Sequence, residues 1–176
     1  MRYVFGPVPS RRLGNSLGVD LLTLKACTFD CVYCQLGATA THTAERRRFV
    51  PADDVIAEVR QALAENPQVD AITLSGSGEP TLSLDLGRVI HAIKQMLANR
   101  ELGESSESGT LRPHSRDSRD SRSRPIVAVL TNGSLLGRPD VQADLAEADL
   151  VKPSLDAGTQ ATFERVNRPQ GMSVAA

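Results

Sequence analysis

From Ser16 onward, short apolar runs alternate with stretches whose apolar residues recur at helical spacing. A strand reads as a brief β-branched run, and a helix reads as a stripe that repeats every three to four residues. Ser16–Leu24 is the first such run and predicts a buried strand. Ala52–Glu65 predicts a helix, with Val55, Ile56, Val59 and Leu63 on one face, Pro51 just before it and Asn66-Pro67 ending it. Val69–Ser75 predicts a strand, Leu84–Asn99 a helix, Ile126–Thr131 a strand and Pro139–Ala146 a short helix. Leu150–Leu155 predicts a strand despite its internal proline, and Thr159–Val166 a further helix. Strict alternation of this kind implies parallel strands joined by right-handed crossovers. The expected fold class is therefore α/β with a parallel sheet. In such folds the active site gathers where strands hand over to helices. The cysteine segment, Gly76–Pro80, Thr131–Ser134 and Leu155–Gly158 all fall at that end.

Two segments break the alternation. Phe5–Ser10 is rich in turn formers and reads as an irregular arm. Arg100–Arg124 is almost entirely Ser, Arg, Asp, Glu and Gly. It offers too little apolar surface to offset chain entropy, so a disordered, solvated insertion is expected over 100–124.

Composition narrows the function classes. A net charge of -1 argues against a strong pull toward nucleic acid, while leaving room for a local patch. No apolar run reaches the roughly 20 residues needed to span a bilayer. Met1–Leu13 carries arginines but no apolar signal core, which predicts a cytoplasmic, reducing setting. Clustered cysteines in that setting are metal ligands or redox groups rather than disulfide partners. All 3 cysteines lie between Cys27 and Cys34.

Cys27, Cys31 and Cys34 are spaced so that one tight loop can wrap three thiolates around a cluster. A four-iron cube held by three thiolates keeps one iron open for a small molecule. The competing reading is a Cys3His zinc site that recruits His42. The spacing favours iron and sulfide, because the paired C-x-x-C signature of structural zinc is missing.

The run CTFDCVYC resembles the CxxxCxΦC cluster motif of the radical S-adenosylmethionine (radical SAM) superfamily, with Tyr33 in the aromatic place. The longer stretch from Phe5 to Gly37 resembles a branch of iron–sulfur oxidoreductases related to wyosine-synthesis enzymes of tRNA modification. SGSGEPTL is similar to the family's GGE segment, with Ser77 departing from the simplest form. TNGS and VKPSLDAGTQATFERVNRP resemble its third and fourth strand ends, and the likeness covers nearly all of the chain outside 100–124.

The resemblance implies a partial (β/α)6 barrel and a [4Fe–4S] cluster on Cys27, Cys31 and Cys34. It implies S-adenosyl-L-methionine as cofactor, cleaved reductively to a 5′-deoxyadenosyl radical that takes hydrogen from a substrate. Gly76, Ser77, Gly78 and Glu79 would receive the cofactor's amino group, through the carboxylate or through loop carbonyls; the other reading of Glu79 is a strand-end residue that caps nearby backbone. Gly78→Val is expected to weaken cofactor binding and spare the cluster. Tyr33 would flank the adenine, Ser154 and Asp156 would meet the ribose, and Asn132 would support the cofactor from its turn. The implied partners are an unidentified substrate (a small molecule or RNA) and an electron donor such as flavodoxin or ferredoxin, with no membrane. Arg11 and Arg12 would meet an anionic group or stand solvated, and His91 has no catalytic duty. A tRNA-base-modifying enzyme of wyosine type, a Cys3His zinc module and an inactive fragment are the alternatives. Four βα units are legible before Ala176, so the resemblance predicts further strands, and a chain that acts poorly without them.

Overall fold

A computed structural model describes residues 2–104 and 124–169. Most of the linker expected over 100–124 therefore lies outside the described residues. In chain order the elements are β1 (Val4–Ser10), β2 (Gly14–Val19), β3 (Ala26–Cys27), β4 (Thr41–His42), α1 (Ala52–Glu65) and β5 (Ala71–Leu74). A 3-10 turn (Pro80–Leu82), α2 (Leu86–Glu104), β6 (Ile126–Thr131), α3 (Pro139–Leu145), β7 (Leu150–Pro153) and α4 (Gln160–Asn167) follow.

The main sheet has 5 strands in the order β1-β2-β5-β6-β7. β2, β5, β6 and β7 run parallel, and each of the four is followed by a helix. This is a mixed α/β fold with a parallel-rich sheet, the arrangement of a partial barrel. Both faces of β5 are covered, so all of Ala71–Leu74 is buried, as a central parallel strand requires. Val55, Val59 and Leu63 of α1, Val89, Ile90, Ile93 and Leu97 of α2, and Val141 of α3 form the apolar layer over Leu17, Val19, Ile72, Leu74, Val127 and Val129. Arg46 ties this layer together. Its side chain is 4% exposed, donates to the carbonyls of Thr81 at 2.8 Å and Ser83 at 2.9 Å, and pairs with Asp140 and Asp144 of α3.

α1 begins and ends where the sequence places it. Asn66 stops it by donating both its N–H and its side-chain amide to the Ala62 carbonyl, each at 2.9 Å. α2 continues to Glu104, past the expected end at Asn99. The first expected strand ends early, at Val19, where Asp20 Oδ1 accepts Leu22 N–H at 2.9 Å and turns the chain; Leu24 beyond it has φ 55 and is 75% exposed.

The expected irregular arm is instead strand β1. It pairs antiparallel with β2, with an irregularity between Phe5 and Val8 where Gly6-Pro7 interrupts the ladder. An edge strand tolerates proline, since only one side must supply ladder bonds. The turn that carries Arg11 and Arg12 lies before the start of β2, whereas the cysteine segment follows its end. The arginine pair is thus at the far end of the sheet from the thiols, with both residues exposed, as the solvated reading has it.

Candidate functional site

The C-terminal ends of the four parallel strands deliver four loops to one edge of the sheet, and these loops are bonded to one another. Ala26, one residue before the first thiol, forms a parallel bridge with Gly78. Ala26 N–H donates to Ser77 O at 3.0 Å, and Glu79 N–H donates to Ala26 O at 3.0 Å. Gly78 has φ 144, and a Cβ there would stand 1.7 Å from the Ala26 carbonyl oxygen. Only glycine lets the two loops approach this closely.

The cysteine loop is wound by successive turns, Cys34 N–H to Cys31 O at 3.1 Å and Gly37 N–H to Cys34 O at 3.0 Å. The buried Lys25 closes it by donating to Gly37 O. Thr39 N–H donates to Asp30 Oδ1 at 2.7 Å and holds that carboxyl below its usual range. All three thiols are free and half-buried. Cys27 Sγ accepts from Phe29 N–H at 3.5 Å and from the Asn132 amide at 3.6 Å, and Cys31 Sγ accepts from the Asn167 amide at 3.4 Å. Burial pushes the Cys27 thiol up, and the Phe29 N–H partly offsets this.

Three soft thiols, two of them with amide donors at their sulfurs, suit an iron–sulfur cluster. Among the described residues, no three His, Cys, Asp or Glu side chains close around a single metal ion. Three thiolates on three corners of a cube stand further apart than ligands of one ion. His42 pairs beside Cys27 in β4, but its Nε2 donates to the Thr28 carbonyl at 2.9 Å.

Glu79 is 1% exposed and entirely engaged. Oε1 accepts from Thr81 N–H at 3.1 Å and from the Thr81 and Thr131 hydroxyls, each at 2.6 Å. Oε2 accepts Asn132 N–H at 2.6 Å. Burial raises this carboxyl above its usual range, against the pull of four donors. Its carboxylate binds the end of β5 to the end of β6. Asn132 continues the chain of bonds by donating to Thr28 Oγ1 at 2.7 Å, and Thr28 Oγ1 meets Ser134 Oγ at 2.8 Å.

At the fourth strand end, Tyr33 donates through its hydroxyl to Asp156 Oδ2, and Asn167 donates to the same oxygen at 2.9 Å. Desolvation around the phenol, then the bond to Asp156, raises Tyr33 well above its usual range. Ser154 is placed by its N–H, which donates to Thr131 O at 2.9 Å, and its side chain is exposed. The structure thus brings Cys27, Cys31, Cys34, Tyr33, Gly76, Ser77, Gly78, Glu79, Asn132 and Asp156 into one connected edge and leaves the Ser154 side chain outside its bonds.

Asp20, Lys25, Thr28 and Asn167 belong to the same edge and were not singled out from the sequence, whereas Thr131 opens a turn already placed there. His91 lies away from this edge, against Glu147 at 2.9 Å. No helix among the described residues is long and apolar enough to cross a membrane.

A profile described as the Radical SAM superfamily matches residues 21–173. The chain is 34% identical over 171 residues to a UPF0026 protein of Methanocaldococcus jannaschii, covering 96% of this chain and 45% of that protein. It is 36% identical over 167 residues to a UPF0026 protein of Synechocystis, covering 94% of this chain and 52% of that one. A protein named GTPase Obg from Brachyspira hyodysenteriae is 41% identical over 166 residues, covering 94% of this chain and 21% of its own length. The GTPase name belongs to that protein, of which this chain spans about a fifth. The chain spans about half the length of the UPF0026 relatives it matches.

Proposed function

The chain belongs to the radical SAM superfamily, and from that membership we propose that Cys27, Cys31 and Cys34 hold a [4Fe–4S] cluster whose open iron takes S-adenosylmethionine. When bound, the two supply one-electron cleavage of the cofactor's S–C5′ bond and a 5′-deoxyadenosyl radical for hydrogen abstraction from substrate. The observation that carries this reading is the Ala26–Gly78 bridge, which joins the cysteine loop to the glycine loop beside the first thiol.

The residues divide the work. Lys25 and the two turns fix the path of the loop that carries the three thiols. Gly76 and Gly78 keep backbone oxygens close to where a ligand ammonium would lie, while Glu79, with both oxygens engaged, acts from behind by fixing Thr131 and Asn132. Tyr33 and Asp156 meet at the rim, where an adenosine would be received. The substrate and the electron donor belong to the whole protein and are named by none of these residues.

Anaerobic reconstitution with ferrous iron and sulfide tests the reading. We expect four irons and four sulfides per chain, a reduced-cluster EPR signal that changes when S-adenosylmethionine is added, and release of 5′-deoxyadenosine. Cys27→Ala, Cys31→Ala and Cys34→Ala should each lose most of the iron. Unchanged iron content in the triple variant overturns the assignment.

A further inference from the structure

The last residue of α4 is a buried asparagine whose presence carries a cost. Asn167 is 2% exposed, and its side-chain oxygen is a buried acceptor with no hydrogen-bond partner among the described residues. Its side-chain nitrogen lies 3.4 Å from Cys31 Sγ and 2.9 Å from Asp156 Oδ2. Rotating the amide by half a turn does not repair the deficit. It would set oxygen against a carboxylate and a sulfur, which are both acceptors. A leucine, with the same branched skeleton, would occupy the site without an orphaned acceptor. What leucine lacks is a pair of N–H donors.

The backbone around Asn167 holds the amide in register with the thiol. Asp30 N–H donates to Asn167 O at 3.0 Å, and Val32 N–H donates to Val166 O at 2.9 Å. Phe29 meets Phe163 edge to face, with centroids 5.2 Å apart. Cys31 therefore lies between two loop residues that are bonded to the end of α4. Across the site, Cys27 receives an amide from Asn132 in the same manner.

We propose that Asn167 is a positioning residue for the Cys31 sulfur: one N–H donates to Sγ, the other holds Asp156, and the pair sets the electron density on that thiolate. This rests on the cluster reading above. A donor at a ligating sulfur withdraws negative charge and favours the reduced state of the centre. Loss of the donor therefore makes the cluster harder to reduce.

The test uses the full chain, reconstituted anaerobically with ferrous iron and sulfide, and reads the reduction potential by EPR-monitored titration with dithionite. Asn167→Leu and Asn167→Ala remove the donors at two different volumes. Phe163→Leu loosens the same seam and keeps them. We expect both Asn167 variants to take up iron and sulfide and to reduce at more negative potential than the wild type, with Phe163→Leu unshifted. Potentials equal to the wild type in either loaded Asn167 variant overturn the proposal. An equal shift in Phe163→Leu overturns it too, because packing would then be the cause. Failure of both Asn167 variants to load also overturns it, because the residue would then serve assembly. Failure of the wild type to load iron and sulfide overturns the cluster reading itself, and this proposal with it.

Discussion

Ser77 Oγ donates to Asp20 Oδ2 at 2.6 Å, and Ser77 N–H reaches the same oxygen at 3.1 Å. The other oxygen, Oδ1, accepts Leu22 N–H at 2.9 Å. One carboxylate thus clasps the glycine loop to the end of β2. The serine that departs from the simplest GGE form supplies a donor that glycine lacks. Ser77→Gly keeps the backbone bond and loses the hydroxyl bond, and it should cost about 1–3 kcal/mol. Asp20→Ala, which removes every acceptor, should cost more. Urea unfolding of the three proteins checks the order, and equal midpoints for wild type and Ser77→Gly would deny the clasp.

Glu79→Gln tests the carboxylate that joins the strand ends. Its amide oxygen can face the Thr81 and Thr131 donors, but its nitrogen then faces Asn132 N–H. A buried donor is left unpaired, so a loss of about 1–3 kcal/mol is expected. Thr131→Val deletes one donor to the carboxylate and should lose less. If Glu79→Gln unfolds at the wild-type urea concentration, the buried network does not stabilise the fold.

Gly78→Ala should damage both halves of the site. The added carbon would stand 1.7 Å from Ala26 O and 2.6 Å from Ala26 C, so β3 or the glycine loop must move. For Gly78→Val the expectation from the sequence and its resemblance is loss confined to S-adenosylmethionine binding. The geometry extends it to Cys27, the next residue of β3. Iron content and calorimetric affinity should fall together. Full iron content with cofactor binding lost would restore the narrower expectation.

Acid should loosen the hold of α1 on the start of β1. Glu58 accepts the N–H groups of Arg2, Tyr3 and Val4, with Oε2 at 2.8, 2.8 and 3.2 Å. Burial raises this carboxyl, but the Tyr3, Arg2 and Val4 donors bring it below its ordinary 4.5. The unfolded chain therefore takes up the proton first as pH falls. The stabilisation is complete above 4.5 and is lost as pH drops through the lower folded value. Glu58→Gln should show a shallower decline in urea midpoint between about pH 6 and pH 3. An identical slope in both proteins would assign the acid sensitivity elsewhere.

The parallel strands and helices were legible because each satisfies a local period. Ile126–Thr131 is β-branched and apolar, and Val55, Val59 and Leu63 fall on one helical stripe. The place of the site was legible too, since parallel strands send every strand-to-helix loop to one edge. β1 was not, because a cis Gly6-Pro7 step and an irregular ladder hide a strand inside turn-forming residues. Glu79 was legible in part. The sequence allowed a cap on nearby backbone as well as a cofactor contact, and only Thr81, Thr131 and Asn132, brought together by the sheet, show that both oxygens are engaged. Asn167 gave no signal at all. Its partner Cys31 is 136 residues away.

That separation has a consequence for how the protein is made. The cysteine loop is translated early, yet the bonds that shape it join Thr28 to Ser134, 106 residues on, Tyr33 to Asp156, 123 on, and Cys31 to Asn167. Contacts this remote close slowly and late, whatever their final strength. These three bonds can form only once Ser134, Asp156 and Asn167 have been made. The proposed cluster would therefore meet a fully shaped loop only after synthesis has passed residue 167, not residue 34.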